Sequence, residues 1–227
     1  MRRSMIIVAT ALFIFGGGGC QSGPEQSPSG EQSAEAPSGK RAEPTTAPDK
    51  PRAPDQFAVK LVTTKGEIII DVNRAWAPRG ADRFHELVTA GYYDGVAFFR
   101  VVEGFMAQTG ISGDPSQNKA WRRKRIKDDQ VTQSNTRGML SFATSGPHSR
   151  TTQFFISFGD NSRLDGMGFA PFAKVRDMAV VDQLYNGYGE GAPKGNGPSQ
   201  GRLQREGNPY LEREFPKLDY IKKATVI

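Results

Sequence analysis

The stretch FFRVVEGFMAQTG, residues 98–110, decides the fold of this 227-residue chain together with GMLSFATSGP, residues 138–147, and its continuation QFFI at residues 153–156. Just upstream, residues 92–102 follow a strand pattern across a turn at Asp94-Gly95. These patterns predict short strands separated by Gly-rich turns. Short strands of this kind favour a closed barrel or a sandwich with a few helices.

Elements on either side of these stretches also favour a mainly β domain. Apolar residues alternate over residues 57–73 around a turn at Lys65-Gly66, which predicts a β-hairpin with one face toward a core. A helix is predicted to begin at Pro78, because proline is favoured in the first helical turn. The last ten residues, 218–227, can supply a closing strand.

Two segments near the C-terminus carry further predictions. Val180, Val181 and Leu184 lie at helical spacing, so a second helix is predicted over residues 177–185. Residues 186–207 contain seven glycines and few apolar residues. This composition predicts a long surface loop.

The first twenty residues, 1–20, predict an export signal. Arg2 and Arg3 precede an apolar run that has the length of a signal-peptide h-region and is short for a hydrocarbon core of about 30 Å. Glycines then lead to Cys20, the only cysteine, in an arrangement that resembles a bacterial lipoprotein processing site. Lipid on Cys20 would anchor the mature chain to a membrane of the cell envelope, on the periplasmic or extracellular side. Plain secretion and a retained anchor stay open, because Gly17 stands where such sites usually carry Leu or a similar apolar residue.

Composition divides the rest of the chain into a tether, residues 21–56, and a folded domain, residues 57–227. The tether has no aromatic residue and is rich in Pro, Ser, Glu, Ala and Gly, so it buries too little apolar surface to fold. The folded domain has 24 basic and 18 acidic residues and therefore retains the whole net charge of +6.

The densest basic segment is WRRKRIK, residues 121–127, and Asp128 and Asp129 follow it directly. We interpret it as a solvated loop face. The neighbouring acids and the exported location argue against nucleic-acid binding. A single Cys excludes a disulfide framework, and two isolated His disfavour a zinc site, so we expect no metal and no cofactor.

The two stretches that decide the fold resemble the two signature segments of the cyclophilins, which are peptidyl-prolyl cis/trans isomerases. A third piece, LDG at residues 164–166 followed by Phe169 and by FAKV at residues 172–175, matches in order and approximate spacing. The resemblance covers about residues 57–227. It implies a closed eight-stranded antiparallel β-barrel capped by two α-helices, and isomerase activity on X-Pro peptide bonds.

The chemistry of this reaction explains the residue types. Rotation about an X-Pro amide crosses a barrier of roughly 18–20 kcal/mol and breaks no bond, so neither a nucleophile nor a metal is needed. A fixed cationic donor aimed at the prolyl nitrogen stabilises the twisted amide in particular. Arg100 matches the catalytic arginine of the family, and Gln108, also at a matching position, would help to orient it. By resemblance, both residues are assigned to catalysis.

The resemblance also assigns a substrate-binding surface. Gln153 would help Gln108 to hold the substrate carbonyl, and backbone groups around Ala143 and Thr144 would pair with the peptide as with an added strand. An apolar slot would hold the proline ring. The predicted substrate-binding residues are Phe105, Met106, Ala143, Thr144, Gln153, Phe155, Leu164 and Phe169.

Three positions depart from the family pattern. Arg163 stands where many members have a Trp, which argues against high affinity for cyclosporin. Phe99 stands where a His often precedes the matching arginine, and it should alter the support around Arg100. The segment after Gly166 is about one residue longer than in common members, so the equivalence of Phe169 to the family's residue at the pocket rim is left open.

Three functional hypotheses follow. The first is a monomeric, envelope-tethered isomerase whose partners are proline-containing polypeptides and unfolded exported proteins. The second is a module or chaperone that binds proline-containing segments without turnover. The third is an adhesion or scaffold protein acting through residues 121–127, which predicts salt-sensitive attachment to an anionic polymer.

Overall fold

The computed structural model of the protein describes residues 52–227. The predicted signal, the lipidation site at Cys20 and nearly all of the predicted tether lie outside the described residues. No helix between residues 52 and 227 is both long and apolar enough to cross a membrane.

The described chain is mainly β, with one curled antiparallel sheet surrounded by short helices. The strands are β1 (Gln56–Thr63), β2 (Glu67–Asn73), β3 (Val96–Ala97), β4 (Arg100–Val102), β5 (Met106–Thr109), β6 (Met139–Phe142), β7 (Phe154–Ser157), β8 (Pro171–Val175) and β9 (Tyr220–Val226). The helices are α1 (Pro78–Thr89), α2 (Pro115–Trp121), α3 (Gln200–Glu206) and α4 (Asn208–Glu214), with 3₁₀ turns at Ser162–Met167 and Val181–Gln183.

The strand order, β3-β9-β1-β2-β8-β6-β7-β5-β4, places β3 and β4 at opposite edges of the sheet. Only Phe98 and Phe99 separate these two strands in the chain, and the Thr109 hydroxyl donates to the Ala97 carbonyl at 2.8 Å. One segment, residues 96–102, therefore borders both edges of the curled sheet. The described sheet has nine strands rather than the predicted eight, because Phe98 and Phe99 interrupt this segment.

The main core lies inside the sheet and is built from alternating strand residues. Val59 and Leu61 on β1 face inward with Ile70 on β2, and each is fully buried. Phe84 of α1 covers the core, with its ring centroid 5.1 Å from that of Phe172 on β8. The predicted hairpin and the helix beginning at Pro78 are confirmed.

A second apolar cluster lies outside the sheet beside β4. It packs Phe99 against Leu203 of α3 and against Tyr210 and Leu211 of α4, all of them buried. Phe99 thus supports the segment that carries Arg100 by holding the C-terminal helices against it.

The helix predicted over residues 177–185 is wrong, because only the 3₁₀ turn Val181–Gln183 forms there. The Asp177 carboxylate accepts a hydrogen bond from the Ala179 amide at 2.9 Å, an Asx turn that competes with helix formation. The following turn buries Val181 and Leu184 without a full helix. Apolar residues at helical spacing can be buried by a single turn.

The surface loop predicted over residues 186–207 is wrong in its last part. Residues Gln200–Glu206 form α3, which begins at a Ser199 cap and buries Leu203 completely. Seven residues are too few for a helix to be stable by itself, so packing of Leu203 determines its formation. The described residues accordingly hold four α-helices rather than the two predicted.

Candidate active site

Strand alternation presents one set of side chains on the outer face of the sheet. Arg100 on β4 lies opposite Gln108 on β5, and Gln108 lies opposite Phe155 on β7. The residues next to them in sequence, such as Ala107 and Phe154, point into the core. The antiparallel register therefore aligns an arginine, an amide and an aromatic ring across three neighbouring strands.

A chain of hydrogen bonds links the polar members of this row. Arg100 Nη1 donates to Gln108 Oε1 at 2.8 Å, and Gln108 Nε2 donates to Gln153 Oε1 at 2.9 Å. Gln108 accepts from one partner and donates to the other, so both ends of its amide are fixed. The Arg100 side chain is 21% exposed and thus partly removed from water.

A carboxylate that sequence reasoning missed holds the other side of Arg100. Arg100 Nε and Nη2 donate to the two carboxylate oxygens of Glu190, each at 2.6 Å. The same carboxylate accepts from the Gly191 amide at 2.9 Å. Hydrogen bonds from the Arg100 guanidinium hold the pKa of Glu190 below its ordinary value of 4.5. A bidentate pair of this kind fixes the plane of the guanidinium as well as its position.

The backbone around Glu190 is folded tightly. Its carbonyl accepts from the Gly197 amide at 2.8 Å, and a Cβ at Gly195 would lie only 2.4 Å from the same oxygen. Only glycine fits at position 195 without displacing the backbone. Glu190 is the one acid among the glycines of residues 187–197, and that was the signal available in the sequence.

An apolar slot lies beside the arginine. Met106, Phe155 and Leu164 form a small buried cluster, and Phe105 and Phe169 pack against it. The Phe155 and Phe169 rings meet edge to face with their centroids 5.6 Å apart. The structure thus brings Phe169 into the slot.

Hydrogen bonds fix the segment that carries Leu164 and Phe169. Ser134 Oγ donates to one Asp165 oxygen at 2.6 Å, while the backbone and side-chain amides of Asn135 donate to the other. Burial opposes ionisation of Asp165, but these donors outweigh it and lower the pKa of the carboxyl below its ordinary value. Asn135 also donates to the Phe169 carbonyl at 2.8 Å, which anchors both ends of the turn.

Ala143 and Thr144 also line the cleft. The Ala143 amide already donates to the Gln153 carbonyl at 2.9 Å, so a peptide added here has to pair through other backbone groups. The Thr144 hydroxyl lies 2.9 Å from that of Ser149. Arg163 stands at the rim, with its guanidinium carbon 4.9 Å from the centre of the Phe105 ring.

All of the predicted catalytic and substrate-binding residues line one cleft of about 430 Å³. Sequence reasoning missed several other lining residues, which lie at the C-terminal end of α2, in α3 and in the loops between strands. These are Arg122, Arg125, Ser145, Ser149, Thr151, Gln200 and Gln204. The cleft sets a fixed cationic donor beside an apolar slot, an arrangement that suits an apolar ring attached to a polar amide, as in an X-Pro peptide.

Comparisons with known proteins agree with this class of site. A family model described as cyclophilin type peptidyl-prolyl cis-trans isomerase/CLD matches residues 58–200. Peptidyl-prolyl cis-trans isomerase-like 3 of Homo sapiens is 36% identical over 136 residues, 56% of this chain and 81% of that protein. Peptidyl-prolyl cis-trans isomerase B of Escherichia coli is 36% identical over 136 residues, 56% of this chain and 82% of that protein.

The fold is also similar to a crystal structure of a cyclophilin type peptidyl-prolyl cis-trans isomerase from Cryptosporidium parvum. The TM-score is 0.56 at 21% identity, over 76% of this chain and 98% of that chain. A further structure of that protein was determined in the presence of the dipeptide Ala-Pro. The chain belongs to the cyclophilin family and is a peptidyl-prolyl cis-trans isomerase. The resemblance inferred from its signature segments is confirmed.

Proposed function

We propose that Arg100 is the catalytic donor of this isomerase, and that the enzyme is exported, anchored by lipid on Cys20 and active on X-Pro bonds of exported proteins during their folding. The observation that carries the catalytic part is the double anchoring of Arg100. Gln108 holds one side of its guanidinium and Glu190 holds the other, above an apolar slot.

The anchored guanidinium matches the electronic change in the reaction. As the amide twists, resonance is lost and the prolyl nitrogen gains a lone pair. An N–H donor aimed at that nitrogen interacts more strongly with the twisted amide than with either planar isomer. Because Arg100 is already oriented in the free enzyme, little reorganisation is needed when the lone pair forms.

The remaining groups would hold the substrate while its amide turns. The slot formed by Met106, Phe155 and Leu164 immobilises the proline ring, and the linked amides of Gln108 and Gln153 bind the carbonyl before it. Rotation then requires movement of only one side of the peptide bond. Fixing one side while the other turns lowers the entropy lost at the transition state.

The catalytic role is tested by Arg100→Ala in the full chain with an Ala-Pro test peptide. Loss of one preorganised donor should lower kcat/KM by about 10²–10³-fold. Arg176→Ala is the matched control, since Arg176 also forms a carboxylate pair, with Asp71, but lines no part of the cleft. A kcat/KM for Arg100→Ala within about twofold of the control would refute the assignment.

The cellular part of the proposal rests on the sequence of residues 1–20 and on the composition of residues 21–56. It is tested by expressing the full chain and Cys20→Ala in bacteria supplied with a clickable fatty acid. The parent chain should incorporate label and sediment with membranes, whereas Cys20→Ala should do neither. Lipid anchoring would be contradicted if the parent chain incorporated no label and sedimented with membranes to the same extent as Cys20→Ala.

A further inference from the structure

A basic groove, defined here by its lining residues Pro115, Asn118, Lys119, Arg122, Arg123, Gly201, Gln204 and Arg205, adjoins the proline cleft. It lies between α2 and α3, which pack against each other, and has a volume of about 560 Å³. Arg122 and Gln204 line both the groove and the cleft. The two cavities therefore adjoin at these two side chains, so the groove lies next to the place where a polypeptide would be held at its proline.

The groove concentrates positive charge. Lys119, Arg122, Arg123 and Arg205 line it, and Arg125 lines the adjoining cleft. No aspartate or glutamate lines either cavity. Within residues 52–227, none of these five cations has a carboxylate partner within 4.0 Å.

Three acids on the helices around the groove or at their ends are already engaged elsewhere. Asp114 caps α2 by accepting from the Ser116 amide at 2.8 Å. Glu206 and Glu214 both bind Arg202, Glu206 at 2.8 Å and Glu214 at 2.7 Å. Asp114 is thus committed to a cap, and Glu206 and Glu214 are committed to Arg202 and Arg213. The groove cations are exposed.

Uncompensated cations beside a binding cleft raise the local concentration of anionic ligands and attract them from a distance. An extended polypeptide advances about 3.3 Å per residue, so residues a few positions from the proline reach the groove. A carboxylate placed there gains attraction to several cations at once. The same carboxylate finds no opposing acid in the lining of either cavity.

We propose that the basic groove is a specificity site for acidic residues near the isomerised proline, so that the preferred substrates are acidic X-Pro segments of client polypeptides. This inference rests on the proposed function, because it takes the cleft around Arg100 as the place where proline binds. It assigns substrate selection to Arg122 and Arg123, which belong to the segment 121–127 that the sequence indicated to be a solvated loop face, together with Lys119 and Arg205.

The test compares kcat/KM of the full chain on peptides that share an Ala-Pro core. One peptide pair has two Glu or two Gln on the N-terminal side, and a second pair has them on the C-terminal side. On the side that enters the groove, Glu should exceed Gln by about tenfold at low ionic strength, since each exposed charge pair contributes only modestly. The ratio should fall toward one in about 0.5 M NaCl, where exposed charges are screened.

A charge-removing variant locates the effect. Lys119→Gln with Arg123→Gln and Arg205→Gln neutralises the groove while leaving Arg122, which also lines the cleft. The Glu/Gln ratio should drop to about two or less, because most of the local charge is gone. The control variant, Lys174→Gln with Lys217→Gln and Lys222→Gln, removes the same charge from residues that line neither cavity and should keep the full ratio. Thermal unfolding of both variants checks that they fold.

Three outcomes overturn the inference. Equal rates on Glu and Gln peptides would remove it, as would an equal loss of the ratio in groove and control variants. A ratio that appears only after the acidic residues of 21–51 are changed to Gln would assign the groove to the chain's own N-terminal segment instead. Failure to isomerise any of the peptides would contradict the proposed function itself, and is thereby distinguished from loss of the preference alone.

Discussion

The two walls of the cleft are held in place in different ways. The strand wall carries Arg100, Gln108 and Phe155 on β4, β5 and β7, and the ladder of backbone hydrogen bonds fixes their relative positions. The loop wall, residues 186–206, lines the cleft with Gln200 and Gln204, and its end is held by packing of α3. It also carries Glu190, which binds Arg100 but does not line the cleft. Arg100 therefore depends on both walls, since one positions its backbone and the other orients its guanidinium.

Removing the anchor of the loop wall should have the largest effect. Leu203→Ala deletes a fully buried side chain from the cluster of Phe99 and Tyr210. The free energy of unfolding should fall by about 2–5 kcal/mol, the range for such core truncations. Urea unfolding of the parent and of Leu203→Ala measures this difference in free energy. A loss below about 1 kcal/mol would mean that α3 docks without Leu203 and that the loop wall is held by other contacts.

A change in the strand wall should weaken substrate binding. Phe155→Ala removes an aromatic side chain from the slot. Loss of its contact with the proline ring should cost about 2 kcal/mol of transition-state binding, which corresponds to a fall in kcat/KM on the order of 30-fold. Most of the change should appear in KM. Phe155→Leu serves as the control and should retain most of the activity, because it keeps an apolar side chain in the slot. If Phe155→Ala, Phe155→Leu and the parent have equal kinetics, Phe155 does not bind the proline ring.

Breaking the link between the walls should have a moderate effect. Glu190→Gln keeps the shape of the side chain but removes the charge that orients Arg100. The Glu190 side chain is 37% exposed, so solvent weakens the pair, and we expect a fall in kcat of about tenfold. KM should change little, since the slot is intact. If kcat is unchanged and KM alone rises, Glu190 acts on substrate binding instead.

The pH dependence of the same pair gives the smallest and most specific readout. The pKa of Glu190 is lowered, so the pair contributes to stability above the ordinary carboxyl pKa of 4.5 and is lost as pH falls through the lower folded value. Arg100 and Lys194 are the cations that face this carboxylate. The difference in unfolding free energy between the parent and Glu190→Gln should stay constant from neutral pH to about pH 5 and close below pH 4.5. If the difference in unfolding free energy between the two proteins disappeared near pH 6, Glu190 would not be the group responsible for it.

The strand wall could be predicted from sequence because its signals are local. On β4 and β5, Val101 and Ala107 belong to the core, whereas Arg100 and Gln108 line the cleft. The resemblance of the signature segments named Arg100, Gln108 and Phe155 in advance. The structure brings all of the predicted cleft residues together around one cavity. Their catalytic and binding roles stay predictions until the variants are measured.

The loop wall could not be predicted because its structure depends on distant contacts. Glu190 meets a residue 90 positions away in the chain, and nothing in its neighbourhood signals that partner. α2, α3 and α4 have seven residues each, too short for helical propensity alone to reveal them. Tertiary packing of Trp121, Leu203 and Tyr210 determines where these helices form.

The position of Phe99 has a consequence for protein engineering. Its ring is buried against α3 and α4, while the next residue, Arg100, faces the cleft. A chimaera that takes only the signature strands from this protein would carry a bulky ring with no pocket to receive it and an arginine with no carboxylate. Transfer of activity between family members should therefore require residues 98–110 and 186–214 to be exchanged as one unit.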